Sequence, residues 1–449
     1  MTLRLLITSL LAVSLQAQAP RRVALTGGML LDGYEVPPIH HATILVEGNR
    51  IVQVGRAEDV KIPAGATIVD TTGQTMMPGM IELHAHLVIL GHGDYNRWFK
   101  WLDQHKDQWP MEKVMDLSAK QLLMAGITTA VDLGSPLKES ISVRDRINKN
   151  QIPGPRMLMS GPWIINEYAI FPPEMQIKVK GAAEAAKAAE ANIAGGVDLI
   201  KAQGGLSYEQ LKAIVDVAHP KRIPVHAHLY EEQATRDALK AGVDVLQHVG
   251  SGGYPAYSAD LVHAIADSGR PVVPTAAHRV WIYPDTVNFP ERLDDPELKA
   301  QFPADLWAEI SDSFKGFHRL PYFQTTDRQM LYGEESVKQW IKAGAVIGMG
   351  TDNGTPLNFH SDALWREAKV FTDNGLSPIK TVSALTRVNA RIIGKGRDLG
   401  TIEPGKLADI IVVKGNPLYD IVALKDVLVV MKDGIVHKGG QNANSEPRP

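Results

Sequence analysis

The sequence predicts an α/β protein, a (β/α)8 TIM-like barrel with a small β-sandwich built from both termini. Three observations predict it. Eight short apolar runs alternate with helical stretches through the middle of the 449-residue chain. Both ends are rich in short β-branched runs instead. The middle segment, 79–394, is also longer than the roughly 250 residues that a bare barrel needs.

Taken in order, residues 1–19 read as a secretory signal. Arg4 gives a positive start, 5–15 an apolar stretch, and Ala17-Gln18-Ala19 the small-x-small pattern that a signal peptidase cuts. The apolar stretch falls short of the roughly 18–20 residues that span a bilayer. A secreted or periplasmic protein is therefore expected, with no stable membrane association after cleavage. In 20–78 the runs 23–26, 42–47, 50–54 and 67–70 read as strands, and Gly48-Asn49 as a hairpin turn. In 395–449 the runs 408–414 and 427–432, with Asp433-Gly434 turning after them, supply the rest of the sandwich. The polar end, 440–449, is expected to fray.

The eight barrel runs are 80–83, 127–133, 157–160, 197–202, 223–228, 243–248, 271–275 and 345–351. Helical patterns at 182–194, 208–219, 231–241, 259–267 and 334–343 lie between them. Several of these helices reach the next run through Gly, at Gly126, Gly196, Gly242 and Gly344. Gly fits the left-handed cap that ends a helix. Alternating units of this kind build a parallel sheet flanked by helices. An open doubly wound sheet would want a Gly-rich phosphate loop after its first strand, and the first run has none. The Gly394-to-Gly400 stretch reads as a turn. Residues 276–328 form a long insertion after the seventh run, rich in Pro and aromatics, with Trp281 and Trp307. Insertions of that length are commonly functional lids or disordered.

Composition narrows the chemistry. Basic and acidic residues number 47 and 50, for a net charge of −3. Without a block of one sign, neither nucleic acid nor an anionic membrane is an expected partner. The absence of Cys excludes disulfides, thiolate-bound zinc, iron–sulfur centres and a thiol nucleophile. No GxSxG elbow, HExxH helix or phosphate loop occurs, so serine hydrolases, zincins and nucleotide enzymes lack support. The 15 His are left as the chemically informative residues.

Those His gather at strand ends. The first run ends Glu82-Leu83-His84-Ala85-His86, the fifth His226-Ala227-His228, the sixth Gln247-His248 and the eighth Gly350-Thr351-Asp352. The fourth carries Lys201. Residues two apart on a strand share a face, so His84 and His86 can reach one ion. In a barrel the active site lies at the C-terminal ends of the strands. One HxH alone says little, whereas recurrence at that end of several strands points to a site of His and carboxylate ligands for zinc or a similar divalent ion.

With these segments, and with Met77-Pro78-Gly79 before the first run and Gly400-Thr401-Ile402-Glu403-Pro404-Gly405-Lys406-Leu407-Ala408-Asp409 after the last, the chain resembles the amidohydrolase superfamily from about residue 22 to 438. The branch it most resembles holds metal-dependent Xaa-Pro and other Xaa-linked dipeptidases, ochratoxin-hydrolysing amidases and, further off, imidazolonepropionase. The resemblance implies two divalent ions, most simply zinc. His84, His86 and Asp352 would hold the first ion, and His226 and His248 the second. Lys201, carbamylated by CO2, would bridge them. Two ions can activate water and polarise an amide carbonyl. Asp352 would act as the proton carrier. The fifth run leaves either His226 or His228 as ligand. The resemblance favours His226, with His228 then facing the substrate as a catalytic group.

The resemblance therefore implies hydrolysis of an amide or peptide C–N bond in a small dipeptide or N-acyl amino acid. Tyr230, His278, Arg279 and Trp281 are the expected substrate contacts, with Arg279 and His278 suited to a carboxylate. Trp98, Trp101 and Trp109 suit an aromatic pocket wall and suit core packing equally. His40 and His41 are expected at the surface. The alternative enzyme is a mononuclear deaminase or cyclic amide hydrolase using His228-x-x-Glu231. The alternative of another class is a catalytically silent ligand-binding protein. A homo-oligomer fits either.

Overall fold

The computed structural model describes residues 21–167, 169–250, 256–282, 290–320, 323–324 and 326–439. The expected signal, 1–19, and the polar end, 440–449, lie outside the described residues. The N-terminal part forms β1 (Arg22–Leu30), β2 (Ile39–Glu47), β3 (Arg50–Arg56), β4 (Thr67–Asp70) and β5 (Gln74–Pro78). The chain continues with β6 (Met80–Ala85), β7 (Ile127–Asp132), β8 (Arg156–Met159), β9 (Trp163–Ile165), β10 (Gln176–Lys178), β11 (Ile200–Ala202), β12 (Val225–His228), β13 (Val245–Gln247) and β14 (Val272–Val273). It closes with β15 (Ile410–Lys414), β16 (Val427–Lys432) and β17 (Ile435–Lys438).

Both ends share one sheet. Its order is β17-β16-β15-β5-β1-β2-β3, with β4 beside β1. The junction is β5, unmarked in the sequence reading, which pairs antiparallel with β15 from Ile410 opposite Pro78 to Lys414 opposite Gln74. Val23, Leu25, Ile44 and Met76 pack with Ile410, Val412, Val429 and Met431 in one apolar cluster. Burial of this kind stabilises at roughly 25 cal/mol per Å² of apolar surface. Where a sandwich was expected, one eight-stranded sheet is observed. His40 and His41 lie exposed on β2.

The middle of the chain makes two parallel sheets, β6-β7-β8 and β10-β9-β11-β12-β13-β14. Backbone bonds cross both gaps between them. Asp198 N donates to Met159 O at 2.9 Å on one side. On the other, Gly348 N donates to Val272 O (2.9 Å), Leu83 N to Met349 O (3.2 Å) and Asp352 N to His84 O (2.8 Å). The eighth run forms isolated bridges, Val272 to Ile347 and Ala85 to Asn353, rather than a strand. Helices Ala182–Ala194, Tyr208–Ala218, Glu232–Ala241 and Ala259–Ser268 fall where their apolar spacing predicts, while the last begins earlier and spans Thr326–Ala343. The insertion is helical and docked. Helix Ala304–Ser313 buries Leu306, Trp307 and Ile310 against Trp98, Trp109 and Phe359. Arg97 grips Glu309 through Nε (2.7 Å) and Nη2 (2.8 Å).

Candidate metal centre

The end of β6 shows how local geometry aims the ligands. Leu83 packs in an apolar cluster with Val131, Val245 and Val273, yet the adjacent His84 turns to the site. The β6–β7 register shifts between Glu82 and Ala85, and a bulge of that kind re-aims side chains. Glu82, fully buried, holds the bulge. Its carboxyl accepts from the backbone N–H of His84 (2.8 Å) and Thr351 (2.9 Å), from Thr351 Oγ1 (2.8 Å) and from Asn353 Nδ2 (3.2 Å). One side chain thus ties the His84 backbone to the 351–353 segment. Burial pushes its carboxyl up to about 8.

Three residues at the same end of the sheets have left-handed backbone: His248 (φ 63°), Thr275 (φ 52°) and Asp352 (φ 61°). Such conformations cost a non-glycine residue on the order of 1 kcal/mol and cluster at functional sites. Thr275 Oγ1 lies 2.9 Å from His248 Nδ1 and orients that ring. Gly350 is needed for space, since a Cβ there would come within 2.7 Å of Val273 Cγ1 and 3.0 Å of His84 N.

Around Asp352 the side chains converge. Oδ1 lies 3.1 Å from His86 Nε2 and 3.5 Å from His84 Nε2, and Oδ2 lies 3.4 Å from His278 Nδ1. Among the described residues, ligand atoms of His84, His86 and Asp352 lie within 4.8 Å of one another. The His248 ring centroid is 4.4 Å from that of His84 and 4.4 Å from that of His228. Lys201, 1 % exposed, joins His86, His228, Tyr230, His248, Arg279 and Asp352 in lining a cavity of about 140 Å³. His84 Nε2 and Lys201 Nζ are buried with no hydrogen-bond partner. Buried polar atoms are nearly always bonded, so these two unpartnered nitrogens beside a site that includes Asp352 fit a place that would hold a cation.

The electrostatics agree. Burial holds the His228 and His278 imidazoles down to about 3, and those of His84 and His248 well below their ordinary range. These rings are neutral, the form that binds metal. Burial also lowers the Lys201 amine to about 7. Burial alone would raise the Asp352 carboxyl, but hydrogen bonds from His278 and His86 and the neighbouring imidazoles hold it well below the carboxylate range.

His84, His86, Lys201, His228, His248, Asp352, Tyr230, His278 and Arg279 are therefore brought together. His226 is not. It faces inward one layer deeper, where its Nδ1 meets Gln247 Nε2 and it lines a separate cavity with Leu199, Pro224 and Ile392. This corrects the expectation at the fifth run: His228, not His226, faces the other expected ligands. Glu231 is exposed beside the helix Glu232–Ala241 and does not line the cavity. The Trp281 side chain lies outside the described residues. Trp98 and Trp109 pack against the insertion, and the cavity's aromatic wall comes instead from Tyr95, Trp163, Phe171 and Tyr230.

Sequence reasoning missed the supporting carboxylates. Glu367, on helix Ala363–Asp373, accepts from the backbone N–H of Ala276 (3.0 Å) and Ala277 (2.6 Å), pinning the turn before His278 and Arg279. Its signal is an acidic residue on an apolar helix face, as Glu82 is an acidic residue in an apolar run.

Comparison with known proteins matches the sequence pattern of the amidohydrolase family to residues 75–436. A 5-methylthioadenosine/S-adenosylhomocysteine deaminase of Symbiobacterium thermophilum is 25% identical, over 92% of each chain. The crystal structure of a putative prolidase from Bifidobacterium longum is similar with a TM-score of 0.74 at 28% identity, over 94% of this chain and 96% of that one. A Xaa-Pro dipeptidase with methionine bound in its active site shares the fold with a TM-score of 0.73 at 24% identity, over 93% of this chain and all of the other.

Proposed function

This chain belongs to the amidohydrolase family, and on that premise we propose that it is an exported binuclear amide hydrolase acting on dipeptides or N-acyl amino acids. That it is a metal-dependent hydrolase of C–N bonds follows from the family and the named relatives. The observation that carries the finer reading is the buried, unpartnered Lys201 amine, which lines one cavity with His86, His228, His248 and Asp352.

His84, His86 and Asp352 would hold one divalent ion, and His228 and His248 a second, both most simply zinc. The neutral Lys201 amine would add to CO2 with loss of a proton, giving a carbamate whose oxygens could serve as further ligands. Bound ions would supply Lewis-acid polarisation of the scissile carbonyl and lower the pKa of the attacking water. The protein's own groups do the rest. Asp352, steadied by His278, takes the proton of the attacking water and returns it to the leaving nitrogen as the C–N bond breaks. Arg279, with Nη2 3.0 Å from the Tyr230 hydroxyl, is placed with that tyrosine to hold a substrate carboxylate. The wall of Tyr95, Trp163 and Phe171 suits an apolar side chain or acyl group.

The two parallel sheets are best read as one barrel over 79–394, with the insertion at 276–328. Ile81, Val131, Leu158, Leu199, Val245 and Val273 come from six of its staves and pack in one cluster, which supports that reading. The segments 20–78 and 395–449 would form the second domain, and 1–19 would direct export. The test is a screen of zinc-loaded protein against Xaa-Pro and other dipeptides, N-acyl amino acids and 5′-methylthioadenosine. Amino acid release from a carboxylate-bearing amide is expected. Ammonia release from the nucleoside, with every amide untouched, would instead select the deaminase reading.

A further inference from the structure

We propose that His226 is a positioning residue which, through the Gln247 side chain, fixes the ring tautomer of His84 so that His84 Nε2 can take a cation. The inference rests on reading His84 as a metal ligand.

The Gln247 amide is fully buried between two imidazoles. Its Oε1 lies 2.8 Å from His84 Nδ1, and its Nε2 lies 3.1 Å from His226 Nδ1 and 3.5 Å from Leu83 O. An amide has one accepting end and one donating end. With oxygen toward His84, that ring carries its proton on Nδ1. Its Nε2 lone pair then points to Asp352 Oδ1, 3.5 Å away, and Nε2 has no hydrogen-bond partner. With nitrogen toward His226, the His226 Nδ1 must accept, so that ring carries its proton on Nε2.

Rotating the amide by half a turn exchanges ends of nearly equal size, so packing barely opposes it. Hydrogen bonds choose the orientation. The Leu83 carbonyl is a long partner, and His226 Nδ1 is the nearer acceptor. Without that acceptor the amide can turn its NH2 to His84 Nδ1. His84 would then have to accept there and carry its proton on Nε2, where it would exclude a cation. His226 lies two residues from His228, at about 3.3 Å of rise per residue, and so acts on the site from the layer beneath it.

Two measurements test this. Nitrogen-15 NMR of the metal-free protein should show His84 protonated on Nδ1 and His226 on Nε2. Zinc affinity, read by competition with a chromogenic chelator, should fall by about 10- to 100-fold in His226→Leu, the usual effect of losing an outer partner of a metal ligand. His226→Asn places an acceptor near the Nδ1 position and should recover most of that loss, which a merely space-filling role would not produce. His226→Leu protein that binds zinc as the wild type does, or wild-type His84 protonated on Nε2, overturns the proposal. The tautomers are read before metal is added, so their failure overturns the relay, while a wild type without zinc affinity overturns the metal reading beneath it.

Discussion

A lysine amine sealed from water without a partner favours its neutral form. For Lys201 burial lowers the amine from 10.5 to about 7. Above pH 7 the folded protein holds a neutral amine able to add to CO2, and below it an ammonium that cannot. Between pH 7 and 10.5 the unfolded chain binds a proton that the folded chain does not, so this group's contribution to stability rises with pH across that window. Activity restored to metal-free protein by zinc and bicarbonate should therefore appear with a midpoint near pH 7. A midpoint near 10, or no dependence on bicarbonate, would remove the carbamate. At this scale His84, His86, His248 and Asp352 were legible because they end apolar runs. The choice between His226 and His228 was not, since both face inward and only depth separates them. Glu82 and Glu367 were illegible for another reason. The N–H groups they serve at Thr351 and Ala276 lie far from them in sequence.

Among the elements, the insertion differs most from its expectation. The length and aromatic content of 276–328 suggested a lid, yet helix Ala304–Ser313 is fastened to helix Tyr95–Gln104 and its surroundings. Arg97 bonds Glu309 and Asp312, and Asp305 accepts from Gln108 Nε2 and Trp109 Nε1. The exposed pairs add little; the buried aromatic cluster carries the docking. Trp307→Ala should cost about 3–5 kcal/mol and open 290–320 to limited proteolysis under native conditions. Unchanged cleavage would show that the cluster does not hold the insertion. Periodicity predicted the helices well, because each has one apolar face. It overstated the eighth run, whose Gly348 and Gly350 leave room for neighbours but give a strand little to pack. It also passed over β9 and β10, three residues each and too short to show a period.

In the whole molecule, the pairing of β5 with β15 joins the two ends and delivers β6 to the site with a single residue, Gly79, between the strands. Arg156, at the start of β8, bonds Asp409 (2.7 Å) and Asp433, fastening the terminal sheet to the parallel sheets. Similar β-branched runs at both ends made this union legible, although strand order is set by long-range pairing that no local pattern records. The missing Cys agrees with a centre built from His, Asp and Lys. The proposed centre would hold two ions, with Lys201 among their ligands. It is tested most directly by the metal content of protein loaded with zinc in bicarbonate, measured beside Lys201→Ala. Two ions per chain in the wild type, with loss of one or both and of activity in the variant, is the predicted result. One ion per chain in active wild type, with activity intact in Lys201→Ala, would contradict it.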